Sequence, residues 1–156
     1  MEDYFLKIDG IPGESVDAEH KDEIELASFS WGLVEVPAHS GHGARRPEFN
    51  GLHFTTHVSK ASPQLFLATA SGKHIKEANL SVRRAAGKEG LEYLKIKLGD
   101  VLVTSFEEGA GGENAPQESV GLAFTRIDVE YRPIEANGTL GAPISAGWDL
   151  SQHVKV

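Results

Sequence analysis

The sequence predicts a mainly β domain: an antiparallel two-sheet β-barrel or sandwich with one flanking α-helix at about residues 62–72. Three observations carry this. Apolar residues alternate with period two in at least six stretches, whereas a full set of helix signals occurs once. The stretches are joined by turn residues, not by helical crossovers. Two long stretches also change parity midway, which a period-2 strand achieves only by inserting a residue, and such bulges let a sheet curl. The 156 residues form one domain, 1–156, long enough to bury a core without staples.

Tyr4-Phe-Leu-Lys-Ile8 reads as the first strand, closed by the turn Gly10-Ile-Pro-Gly13. Glu14 to Asp22 is polar and reads as a loop. From Glu23 to Val36 runs a long strand whose alternation fails: Ile24 and Leu26 share one parity, Phe29, Trp31 and Leu33 the other. A bulge or sharp bend is therefore expected at Ala27–Ser28. It sets Ser28, Ser30 and Gly32 in a small, polar row opposite the aromatic pair.

Pro37 to Phe49 is a loop by composition and carries the basic step Arg45-Arg46. Asn50-Gly51 reads as a turn into the strand Leu52–Val58, with His53, Thr55 and His57 on its polar face. The helix follows. Ser62 is placed to cap its first turn, Pro63 suits the first helical position, and Gly72 suits the left-handed stop. Leu65, Phe66 and Leu67 fan over more than half its circumference, wider than a single core stripe. Such a helix is either sunk deep in its own domain or covered on a second side by another subunit.

His74 to Arg84 alternates, with Ala78, Leu80 and Val82 inward. Gly87-Lys-Glu-Gly90 reads as a hairpin turn into Leu91–Leu98; Gly99-Asp100 interrupts the pattern and Val101–Phe106 resumes it. Glu107 to Gln117 reads as a mobile loop. Glu118–Arg132 is the longest strand, with a second parity change expected near Thr125–Arg126. Pro133 to Gly147 is turn-rich, and Trp148-Asp-Leu150 is a last short edge.

Composition narrows the function. Fifteen Lys and Arg against twenty-three Asp and Glu give a net charge of −8, which argues against phosphate-backbone binding as the main task. Without cysteine there is no disulfide framework, thiolate zinc site or thiol nucleophile. The acidic N-terminus does not read as a cleaved signal peptide, and no stretch approaches the ~20 apolar residues of a membrane helix. Synthesis in the cytoplasm is the expectation. The charge is uneven: nine acids and two bases lie within residues 1–25, ten bases and four acids within 45–97. Uneven charge usually marks solvated faces, but it also suits a particle whose one side meets the opposite side of a copy.

No catalytic constellation is visible. There is no Gly-x-Ser-x-Gly elbow, and Gly109-Ala-Gly-Gly112 lacks the ending of a phosphate loop. His53 and His57, with His39 and His42 in the nearby loop, offer four imidazoles. However, i,i+4 spacing on a strand puts two rings ~13 Å apart, so a solvated face outweighs a metal site. Neither a metal nor a cofactor is expected, and the weight shifts from enzyme to structural or binding protein.

Several segments carry a family resemblance: Phe5-Leu-Lys-Ile-Asp9, Gly13-Glu-Ser15, Phe29-Ser-Trp-Gly32, Lys60-Ala-Ser-Pro-Gln-Leu65, Ser71-Gly-Lys-His74, Glu92-Tyr-Leu-Lys95, Asp100-Val-Leu-Val103, Val129-Glu-Tyr131 and Ala146-Gly-Trp-Asp149. In this order, from about residue 4 to 150, they resemble the haemolysin-coregulated protein (Hcp) family, the tube proteins of the bacterial type VI secretion system. The resemblance implies a non-enzymatic subunit, six copies closing into a ring and rings stacking into a hollow tube. Its implied partners are itself, a spike protein of the VgrG type, a contractile sheath and effector proteins held in the lumen, with no nucleic acid and no membrane insertion. It implies secretion by the type VI machine, without a cleaved signal peptide.

On that reading Ser28, Ser30 and Gly32 line the lumen, Arg45 and Arg46 serve ring stacking, and Leu65, Phe66, Leu67 and Trp148 form the subunit interface. Two other readings stay open: a β-sandwich binding a ligand or metal through its histidine face, and a tube subunit of another contractile injection particle.

Overall fold

The computed structural model describes residues 1–36, 46–85 and 90–156. The elements run β1 (Glu2–Ile8), β2 (Ile24–Leu26), β3 (Ser28–Val36), β4 (Arg46–His57), α1 (Ser62–Ser71), β5 (Ile75–Arg84), β6 (Leu91–Gly109), β7 (Gln117–Tyr131), β8 (Ile144–Asp149) and β9 (Val154–Lys155). Every strand pairing among them is antiparallel, in the order β2-β1-β5-β6-β7-β4-β3, with β8 and β9 continuing from β7. Among the described residues the ladder does not close on itself. The architecture is an open, curled sandwich around one core, not a sealed barrel.

Two corners produce the curl. The first is the expected break: a bend at Ala27 divides the Glu23–Val36 stretch into β2, on the edge of β1, and β3, on the edge of β4. Ala27 N–H donates to Thr55 O at 2.8 Å, and Thr56 Oγ1 donates to Glu25 O at 2.7 Å, so the bend is tied to β4 from both sides. One run of chain thus serves both sheets, as strands that turn sandwich corners do.

The second corner lies in the long pair β6–β7. Both Leu98 and Val101 are buried, as are Phe124 and Ile127, so each strand changes parity. The inserted residue expected in β7 near Thr125–Arg126 is absent, because the register runs unbroken from Gly99↔Arg126 to Val101↔Phe124. Instead both strands turn over together, with Asp100 at φ 53°. Here β7 exchanges its second neighbour, β4 up to Leu122 for β8 from Arg126 onward. The register shift between these strands falls lower, between Val103 and Ser105 of β6.

Other expectations need correcting. Asn50-Gly51 does not turn the chain. Trp31 pairs Leu52 and Leu33 pairs Phe49, so Asn50 and Gly51 oppose the single residue Gly32 as a bulge, with Gly51 at φ 76°. β4 therefore begins at Arg46, and β3 and β4 continue as a ribbon beyond the bulge. The 107–117 loop is shorter than expected, since Glu107, Glu108 and Gly109 still pair with Ser119, Glu118 and Gln117. β8 starts at Ile144, before the expected Trp148 edge, and pairs with β9, a strand that no alternation announces. Residues 87–89 of the expected hairpin turn and residues 37–45 of the expected 37–49 loop, Arg45 among them, lie outside those described.

The helix occupies the expected span and stops as expected: Gly72 is left-handed at φ 66°, and Lys73 N–H donates to Ala68 O at 3.2 Å. Its start differs by one residue. Ala61 sits at the cap, so Ser62 is already helical and its Oγ faces backwards, accepting the Ser59 N–H at 2.9 Å. Leu65 and Ala68 anchor α1 in the core that Leu6, Leu52, Phe54, Leu80, Ile96, Leu98 and Leu122 fill.

Candidate functional site

The small polar row of β3 proves to be the edge of a wider face. Ser28 pairs with Thr55, Thr55 with Ser119 and Ser119 with Glu107; one step along, Ser30 pairs with His53, His53 with Gly121 and Gly121 with Ser105. Because pairing is in register, these eight residues from β3, β4, β7 and β6 stand on one side of the sheet, opposite the core. They border a shallow depression of about 420 Å³ lined by Ser28, Ser30, His53, Thr55, Ser105, Glu107 and Ser119, with Phe29, Phe54 and Val120 also contributing to its wall.

Local bonds hold this face flat. Ser28 Oγ and Thr55 Oγ1 lie 2.6 Å apart across the ladder, and the His53 ring reaches back to Asn50 O at 2.8 Å across the Gly51 bulge. Gly121 is glycine for a steric reason: a β-carbon there would come within 2.5 Å of Ser105 Oγ and 3.1 Å of His53 Nδ1. Gly32, the third residue of the expected row, sits opposite the bulge. The sequence pointed to Ser28, Ser30 and Gly32, and placed His53 and Thr55 on an outer face. The register adds Ser105, Glu107, Ser119 and Gly121.

The helix supplies a second surface. Leu65 is fully buried in its own core, so it offers nothing to a neighbour, whereas Phe66 and Leu67 are 59 % and 57 % exposed. Phe66 is tilted against Phe106 of β6, with ring centroids 6.4 Å apart. The other residue expected at an interface, Trp148, is half-buried against the core. Together with Trp31, Leu33, Pro47, Phe49 and Val129 it lines an apolar groove of about 430 Å³ between the β3–β4 ribbon and β7–β8. Arg46 is exposed at the start of β4, and Arg45 lies outside the described residues.

Beneath the start of α1, Glu118 is enclosed on the inner side of β7. Burial pushes its carboxyl above the usual carboxylate range; the Ser62 hydroxyl opposes this and the facing Glu108 adds to it. The sequence held the signal, since Glu118 shares parity with Val120, Leu122 and Phe124. Of the four histidines weighed against a solvated face, His53 and His57 are both exposed on β4, and His39 and His42 lie outside the described residues.

A model of the family described as "Type VI secretion system effector, Hcp" matches residues 5–131. Protein hcp1 of Pseudomonas aeruginosa is 39% identical over 158 residues, covering 98% of each chain. Among solved structures, Hcp1 from Salmonella typhimurium superposes with a TM-score of 0.83 at 38% identity, over 99% of both chains. A structure described as a type six secretion system protein gives 0.90 at 28% identity over the full length of both. The chain belongs to the Hcp family of the type VI secretion system.

Proposed function

We propose that this protein is the subunit of the type VI inner tube. Six copies close into a ring, rings stack head to tail, and the tube is secreted with effector proteins held in its lumen. Its partners are other copies of itself, a VgrG-type spike, the contractile sheath and the effectors. Family membership along nearly the whole chain supports this reading.

The observation that carries it is the placement of two opposed kinds of surface on one small domain. Phe66 and Leu67 lie bare on a helix that a lone monomer has no reason to leave apolar. The Ser28–Glu107 face, by contrast, is broad, shallow and built of small polar groups, which suits the wall of a channel through which cargo passes. Arg46 stands exposed at the start of β4, where it can meet acidic groups of the next ring; stacking of a polar ring is heterologous and open-ended.

Light scattering on a sizing column, at several concentrations, tests the ring. A species of six times 16.8 kDa supports the reading, and a clean monomer at all concentrations refutes it. Arg46→Glu should leave rings intact and abolish stacking; undiminished tubes would remove that role.

A further inference from the structure

Away from these surfaces, the segment between β1 and β2 folds back on β1, β5 and β6 and brings Glu19, His20 and Glu92 together. One ligand atom from each lies within 4.8 Å of the other two. We propose that this cluster is a binding site for a divalent first-row transition ion of the zinc type, clamping the β1–β2 segment to β6.

Three features make it more than a patch of acids. First, the His20 side chain is only 7 % exposed and its ring stacks on Phe5, with centroids 4.3 Å apart and planes 10° from parallel. Its direction is fixed. Second, Nδ1 makes a 3.0 Å hydrogen bond to Glu23 Oε2, whereas Nε2 is buried without a hydrogen-bond partner among the described residues. Glu92 Oε1 lies 3.1 Å from Nε2 but outside hydrogen-bond alignment. A carboxylate holding the Nδ1 proton leaves the Nε2 lone pair free to bind, and metal-ligating histidines are oriented in this way.

Third, the spacing suits an ion. Tetrahedral bonds of ~2.1 Å separate ligand atoms by ~3.4 Å, close to the Nε2–Oε1 distance. Glu19 is exposed and can swing the third oxygen in, and water completes the shell. Lys95 Nζ lies 3.8 Å from Oε2 of Glu92, which leaves Oε1 for the metal. One imidazole with two carboxylates favours zinc or manganese over calcium or magnesium, which prefer oxygen alone.

The test uses the full chain, stripped with chelator and titrated calorimetrically with zinc chloride at neutral pH, with magnesium chloride as control. One zinc per chain is expected. Glu92→Gln and Glu19→Gln should each weaken binding at least ~10-fold, and zinc should raise the melting temperature of the parent but not of Glu92→Gln. His53→Gln with His57→Gln should bind as the parent does. Because His20→Gln uncovers Phe5 and can cost folding, the two glutamate variants decide. No zinc uptake, or uptake weakened less than that by both glutamate variants, would overturn the site.

Discussion

Arg83 grips the Asp17 carboxylate with both arms of its guanidinium, Nη1 to Oδ1 at 3.1 Å and Nη2 to Oδ2 at 2.6 Å. The same guanidinium lies 5.0 Å from the centroid of the Phe5 ring, which stacks on His20. The β1–β2 segment is thereby pinned to β1 and β5. The Arg83 hydrogen bonds hold the Asp17 carboxyl down to about 2, overcoming the opposing effect of burial.

Since the folded value lies below the unfolded one, the unfolded chain takes up the proton first as pH falls. The pair's contribution is therefore complete above about pH 4 and is lost as pH drops toward 2. Asp17→Asn keeps Oδ1 for the Glu19 and His20 N–H groups, but it removes the charge and puts an amide N–H donor where Oδ2 accepts from Arg83 Nη2. It should cost about 1 kcal/mol at pH 7 after allowance for partial solvent exposure. Urea titrations should show this difference shrinking between pH 4 and 2; a constant difference would contradict the assignment.

Glu118 behaves in the opposite sense. Its carboxyl titrates higher folded than unfolded, so the fold should gain stability through this group as pH falls from neutral toward the ordinary carboxylate range. Glu118→Gln should raise the melting temperature at pH 8 and flatten its pH dependence, with a gain of about 1 kcal/mol. A variant less stable than its parent at pH 8 would show that the ionised form is needed.

Neighbouring helix residues should separate folding from assembly. Leu65→Ala removes a fully buried side chain and should cost about 2–5 kcal/mol. Phe66→Glu with Leu67→Glu alters two exposed residues and should leave the circular dichroism and melting of the subunit little changed. Light scattering should nevertheless show the proposed ring reduced to subunits of 16.8 kDa.

The polar face invites a test by bulk. Ser28→Gln with Ser30→Gln fills part of the depression without adding charge and should leave rings intact. Effector retained through co-purification should fall several-fold, and unchanged retention would remove this face from the lumen.

Gly51→Ala probes the bulge. The position has φ 76°, and an added β-carbon would lie 2.7 Å from Leu122 O. A loss of about 1–3 kcal/mol in chemical denaturation is expected from the strained backbone and the clash.

Period-two alternation was enough to find β1, the Ala78–Val82 part of β5 and the Val120–Phe124 part of β7, because these stretches keep one set of alternate residues in the core. The break at Ala27 was equally legible, since Leu26 and Phe29 cannot both face inward on an unbroken strand. Position 51 misled for a chemical reason: Asn-Gly permits positive φ, and a turn and a bulge use that freedom alike. At Asp100 and Thr125 the parity change was readable, but not that two facing strands would make it together. The polar face was half legible. Alternation gives the outward residues of one strand, while register across four strands decides which of them meet.

β1 lies between β2 and β5, so Tyr4 has partners in both Leu26 and Val82. β1 leaves the ribosome well before β5 and therefore waits for that neighbour until α1 and β5 have followed. Pairing across so long an interval is entropically costly and slow, which places completion of the subunit after most of the chain exists. A nascent chain would thus expose an unpaired apolar strand for much of its synthesis, a period in which chaperone capture competes with premature association between copies.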